Sequence, residues 1–118
     1  MGQSEGANIF DAEGMLERLG GDRELAVMVL NTFLDDCPKR IRDFRAQIDS
    51  GDLKSAERSV HSVKGASANI SAEGLRECAA GLETAVKSGD TGALNGGIGD
   101  LEQKFLELEL ELRRWIAA

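Results

Sequence analysis

The chain is poor in the residues that mark most other classes of protein. It has no tyrosine, one tryptophan, one proline, one histidine and two cysteines in 118 residues. Cys37 and Cys78 form no C-x-x-C pair and there is no second histidine, so neither a disulfide framework nor a four-ligand zinc site is suggested. Two reduced, buried thiols are the simplest reading. A di-metal bundle enzyme needs paired Glu-x-x-His motifs, which one histidine cannot supply. The longest unbroken apolar run, Leu25 to Leu30, is far below the roughly 20 residues of a membrane span, and Met1 to Asn8 is small and polar. A soluble, cytoplasmic chain with no membrane association is expected. Positive charge is scarce as well. Lys and Arg number 14 against 21 Asp and Glu, and the net charge of -7 would repel a phosphate backbone, so nucleic acid is a poor partner.

What is present points to helices. Hydrophobic residues make up 42% of the chain, enough for one domain with its own core. Residues 1-8 are expected to be a flexible segment and 9-118 the folded domain. Ala, Leu, Glu, Arg and Lys dominate between glycines, while β-branched residues are sparse. Gly20-Gly21-Asp22, Ser50-Gly51-Asp52 and Ser88-Gly89-Asp90 each offer a glycine to end one helix and an aspartate to cap the next.

Apolar spacing between these marks predicts six helices. Asp11 caps a short first one carrying Met15, Leu16 and Leu19, with Phe10 and Met15 as a hydrophobic staple. The second runs over 22-36 with Leu25, Val29 and Phe33 on one face, and Met15 and Met28 fill the core. Pro38 suits the first turn of a third helix, capped by Asp36 or Cys37, that buries Ile41, Phe44 and Ile48. The fourth spans 52-69 and buries Leu53, Ala56, Val60, Val63 and Ser67. The fifth spans 71-88 with Leu75, Cys78, Leu82 and Val86 inward. The sixth starts near Asp90 and carries Leu94, Ile98, Leu101, Phe105, Leu108, Leu112 and Trp115. Its run Gly96-Gly97-Ile98-Gly99 implies either a start after Gly99 or weak first turns, because an interior glycine costs about 1 kcal/mol against alanine. The expected architecture is all-α: an antiparallel up-down four-helix bundle with two additional N-terminal helices packed on one end.

The single histidine lies in the fourth helix. At about 100° per residue, His61 falls beside the stripe through Val60 and Val63, so its ring should reach solvent. Lys64 and Gly65 follow at i+3 and i+4, Ala68 continues the face, and Glu57 and Arg58 lie one turn before. Gly65 weakens a helix interior without any packing reason on an outward face, which suggests that something must approach the backbone there. A neutral imidazole is nucleophilic without an activating base, and the Lys64 ammonium could pair with a phosphoryl group on it. A surface histidine with H-x-x-K spacing is also common decoration, so spacing alone leaves a helical adaptor without phosphorylation open.

The segment AERSVHSVKGASANISAEGLRECAAGLETA resembles the signature of histidine-containing phosphotransfer domains. In that signature Lys-Gly follows the histidine at the third and fourth positions and a small residue stands at the sixth; His61, Lys64, Gly65 and Ser67 match. FDAEGMLERLGGDRELAVMVLNTFLDDCPKRI is similar to the usual N-terminal portion, so the resemblance extends from Ile9 to the C-terminus. Ser71 departs from it, standing where the family commonly has glycine, although it can cap the fifth helix. The resemblance implies a phosphocarrier, not an enzyme with its own kinase domain. His61 would take a phosphoryl group from a receiver-domain aspartyl phosphate and pass it to another receiver aspartate, with Lys64 stabilising it. Glu57, Arg58, Gly65 and Ala68 would form the docking surface. The implied partners are receiver domains of response regulators or of a hybrid sensor kinase, met by a monomer. No cofactor of the chain's own is expected, the Mg²⁺ ion belonging to the receiver. The phosphoacceptor module of chemotaxis kinases, loaded by an ATP-binding domain, shares the His-x-x-Lys-Gly pattern. A histidine kinase dimerisation domain fits less well, because Ser62 and Gly65-Ala66 replace its acidic residue and proline. Two smaller expectations are that Lys39, Arg40, Arg42 and Arg45 form a solvated helix face, with steering of an acidic partner as the alternative, and that Phe105 and Trp115 are core.

Overall fold

A computed structural model describes residues 9-118, so the expected flexible segment 1-8 lies outside the described residues. Four of the aspartates read as caps take that role, whereas Asp36 lies inside a helix. Asp11 accepts from the Gly14 N-H at 3.0 Å and opens α1 (Ala12–Arg18). Asp22 accepts from the Leu25 N-H at 3.0 Å and opens α2 (Arg23–Ser50). Asp52 and Asp90 do the same for α3 (Leu53–Asn69) and α5 (Thr91–Ala117). Gly51 and Gly89, at φ of 78° and 70°, close α2 and α4 (Glu73–Ser88) in the left-handed conformation that glycine adopts without strain.

Five helices, not six, form among the described residues. The second and third expected helices are one, and Pro38 lies inside it. Proline removes an intrahelical hydrogen bond, which normally ends a helix, but the core stripe runs straight through. Leu34, Cys37, Ile41 and Phe44 are all buried on one side, so tertiary packing outweighs the local penalty. The expected pair of N-terminal helices is therefore one short helix, followed by a long one that belongs to the core.

α2 packs on α3, α3 on α4 and α4 on α5, and α5 returns to α2. Met15, Leu30, Phe44, Val60, Leu101 and Leu112 are among the side chains they enclose. α1 lies across the end where α3 stops, with the Asp11 N-H donating to the Ser71 carbonyl at 3.0 Å. Arg18 reinforces that contact by donating to the carbonyls of Ala68 and Asn69 and to Ser71 Oγ. Ser71 takes φ 61°, so it keeps the left-handed turn that glycine would give. It does not cap the next helix: Ala72 holds that position without a side-chain bond, and the Ser71 hydroxyl accepts from Arg18 instead.

Several core assignments change, and Ile48, Leu53 and Trp115 are only partly buried. Met28 and Leu25 are 66% and 40% exposed, because α2 turns a second apolar edge outward beside Val29. Cys37 is buried as expected, whereas Cys78 is half-buried with its Sγ 3.6 Å from Asp100 Oδ2. α5 runs through its glycines from Thr91, and one of them has a packing reason. A Cβ on Gly97 would lie 2.5 Å from Leu82 Cδ2, whereas Gly96 and Gly99 face open space.

Candidate functional site

α3 and α4 run side by side, and their shared edge carries the only histidine. The His61 side chain is 65% exposed, as its position beside the Val60 and Val63 stripe requires. Its Nδ1 lies 2.8 Å from Oε2 of Glu83 on α4. The Lys64 ammonium, one turn further along α3, lies 2.6 Å from the other oxygen, Oε1. Lys87, one turn beyond Glu83 on α4, stands 3.7 Å from Oε2. One carboxylate therefore gathers an imidazole and two ammonium groups from two helices.

Glu83 is the only charged side chain in the core among the described residues, 7% exposed against 65% for the ring it holds. Burial pushes its carboxyl up. The hydrogen bond from Lys64, then that from His61, together with the charges of both, outweigh burial and hold it below its ordinary value of 4.5. An ionised carboxylate only accepts hydrogen bonds, so Nδ1 must donate. In the neutral ring that fixes the proton on Nδ1 and leaves the lone pair on Nε2.

The sequence places His61 and Lys64 together, and the structure brings them to the same carboxylate. Lys64 is not poised freely over the ring; its ammonium is already committed to Glu83. Glu83 and Lys87 escaped the sequence reading because GLETAVKS looks like an exposed i, i+4 ion pair. One signal was available. Ala79, Glu83 and Val86 follow i, i+4, i+7 spacing, so Glu83 occupies an apolar-stripe position where an acid needs a partner.

The four residues read as a docking surface lie on the outer side of α3. Arg58 and Gly65 are exposed, Glu57 and Ala68 half-buried. A Cβ on Gly65 would meet nothing within 4 Å, so no internal contact requires glycine there. Beside this face, α2 and α3 enclose a groove of about 350 Å³ floored by Phe33, Val63 and Ile70 and edged by Asp36, Arg40 and Asn69. The basic stretch on α2 is divided: Arg40 edges this groove, while Arg45 makes a two-pronged ion pair with Glu102 on α5 at 2.7 and 2.8 Å. No cluster of residues able to hold a metal ion occurs among the described residues, and none of their helices is long and apolar enough to cross a membrane.

No curated protein matches the chain. Solved structures do. Histidine-containing phosphotransfer protein B (HptB) from Pseudomonas aeruginosa PAO1 superposes with a TM-score of 0.85 at 22% identity, covering 92% of this chain and 95% of that one. The HPT domain from the Hpt sensor hybrid histidine kinase from Shewanella gives 0.81 at 17% identity, over 94% and 96%. The maize histidine-containing phosphotransfer protein ZmHP2 gives 0.79 at 19% identity, over 91% and 82%. These likenesses concern the fold. The family model for the Hpt domain matches residues 28–118, a span that holds His61, Lys64, Lys87 and the buried Glu83. The chain thus belongs to the Hpt domain family, the phosphocarriers of phosphorelay signalling.

Proposed function

We propose that His61 is the phosphoacceptor of this domain, loaded by the aspartyl phosphate of one receiver domain and unloaded onto the aspartate of another. The observation that carries this is the His61 Nδ1 to Glu83 Oε2 hydrogen bond of 2.8 Å, because it presents Nε2 as the free nucleophile on an exposed ring. Nε2 attacks phosphorus, the N-P bond forms as the acyl phosphate P-O bond breaks, and the receiver keeps its carboxylate. The Nδ1 proton stays in place throughout, so the ring becomes a phosphoimidazolium whose positive charge faces Glu83. No base is needed to take a proton. A Mg²⁺ ion in the receiver would offset charge on the phosphoryl oxygens there, and the chain itself contributes binding, orientation and the Lys64 ammonium.

An antiparallel four-helix bundle suits this task because α3 and α4 hold the acceptor rigidly while its outer face stays flat. Receiver docking would use Arg58, Gly65 and Ala68, with Glu57 at the edge. The exposed Met28 and Leu25 on α2 extend that surface with apolar area beside the groove. A carrier in the cytoplasm, where receivers act, follows from the same reading.

Incubation with a phosphorylated receiver should give an acid-labile, base-stable adduct on the wild-type chain and none on His61→Gln. An adduct that persists in the variant would remove His61 from the role. Met28→Arg should slow loading by the receiver and leave labelling by phosphoramidate, which needs no docking, at the wild-type rate.

A further inference from the structure

Glu83 cannot lose a partner freely. It is buried, it carries a full charge, and each of its oxygens has one close donor, His61 on Oε2 and Lys64 on Oε1. On the proposed reading the Lys64 ammonium stabilises the phosphoryl group on Nε2, and turning toward that group loosens its hold on Oε1. A buried carboxylate oxygen stripped of its donor is costly. Two features lower that cost. The phosphoimidazolium formed on transfer brings a positive charge to Oε2, and a third cation waits close by. Lys87 is 57% exposed on a flexible side chain, 3.7 Å from Oε2, and no other cation besides Lys64 and the histidine itself lies within 4.0 Å of Glu83 among the described residues.

We infer that Lys87 is a positioning residue that takes over Glu83 when Lys64 moves to the phosphoryl group. The inference rests on His61 being the phosphoacceptor. In the resting protein Lys87 lies just beyond hydrogen-bond reach, with Lys64 and His61 holding the carboxylate. After transfer, Lys64 neutralises phosphoryl charge, Lys87 closes on Glu83, and Glu83 keeps both its ionised state and its grip on Nδ1. No bond beyond N-P and P-O changes in the step, and the ammonium groups exchange places by rotation of their side chains.

An exposed i, i+4 ion pair would by itself influence only helix stability, and weakly. The hand-off makes a different demand: the effect of Lys87 must depend on Lys64. The test uses the whole chain with phosphoramidate as donor, comparing wild type, Lys87→Gln, Lys87→Arg, Lys64→Gln and the double variant Lys64→Gln/Lys87→Gln. Labelling rate, hydrolysis rate of the phosphohistidine and the imidazole ¹⁵N shifts are read on each. Lys87→Gln should leave the resting Nδ1-H tautomer unchanged, while lowering the labelling rate and speeding hydrolysis about two- to fivefold, the scale of one partly exposed charged contact. Lys87→Arg should restore both. In the Lys64→Gln background no ammonium leaves Glu83, so removing Lys87 should change either rate by less than about twofold. Equal effects of Lys87→Gln with and without Lys64 would overturn the hand-off and reduce Lys87 to background potential. No effect in either background would remove it altogether. If the wild-type chain took no label on His61, the phosphoacceptor reading would fail instead, a result distinct from both.

Discussion

At the scale of single residues, the site depends on a carboxylate whose ionisation is tied to folding. Glu83 titrates below its ordinary 4.5 in the folded chain, so the unfolded chain binds the proton more tightly. Its contribution to stability is complete above the unfolded value and disappears as pH falls through the folded one. Thermal melts from pH 6 down to pH 3 should therefore show a steeper acid loss for wild type than for Glu83→Gln, with the difference opening below about 4.5. Parallel curves would mean that Glu83 holds no special place in folding. Lys64→Ala should slow transfer by about 1 to 3 kcal/mol in barrier, the scale of a charge-assisted hydrogen bond, and should also lower the melting temperature, because it strips a donor from a buried acid. The loss of stability is the part that sequence spacing did not reveal, since spacing shows Lys64 beside His61 but not the carboxylate beneath both. The cysteines differ for a related reason. Burial pushes the Cys37 thiol up to about 12 and, with Asp100 adding to it, the Cys78 thiol up to about 11. Both should resist alkylation by iodoacetamide near neutral pH in the native state, Cys37 the more completely.

At the scale of helices, glycines in similar sequence settings do different things. Gly65 and Gly96 are exposed with open space where a Cβ would stand, so alanine at either should raise stability by up to about 1 kcal/mol through helix propensity. Gly97→Ala should melt below Gly96→Ala, because its Cβ would press on Leu82, which is buried. Gly65→Ala separates stability from function: it should melt no lower than wild type, accept label from phosphoramidate normally, and load more slowly from a receiver. Normal loading would leave the missing bulk without a docking role. The starts of α1, α2, α3 and α5 and the ends of α2 and α4 were legible because each depends on an aspartate or glycine acting locally, whereas the turn from α3 into α4, which opens at Ala72 without a side-chain cap, carries no such signal. Pro38 misled for the converse reason. A local signal for a helix start was overridden by a long-range one, the packing of Leu34, Cys37, Ile41 and Phe44, whose weight no short window contains.

At the scale of the whole molecule, the order of elements and the face of α3 that carries His61 could be read from the chain, while the way α1 closes one end could not. That closure is built from contacts remote in sequence. Arg18 reaches the last carbonyls of α3, and Arg23 donates to the Trp115 carbonyl at 2.8 Å while its guanidinium lies 4.2 Å over the indole. Phe10 meets the other part of that indole edge-on, with ring centres 6.3 Å apart. Arg23→Ala should lower stability by about 1 to 2 kcal/mol, from the lost cation–π contact and hydrogen bond together. Calorimetric melts of the variant check this, and an unchanged midpoint would show the clamp to be idle. Because Trp115 is the only tryptophan and there is no tyrosine, the intrinsic fluorescence of this protein comes from that one clamped junction. Emission will follow the loosening of α1 from α2 and α5, yet it should stay silent when a phosphoryl group arrives at the α3 and α4 edge. The chain thus carries its own optical control, by which a variant that has lost transfer can be told from one that has lost its fold.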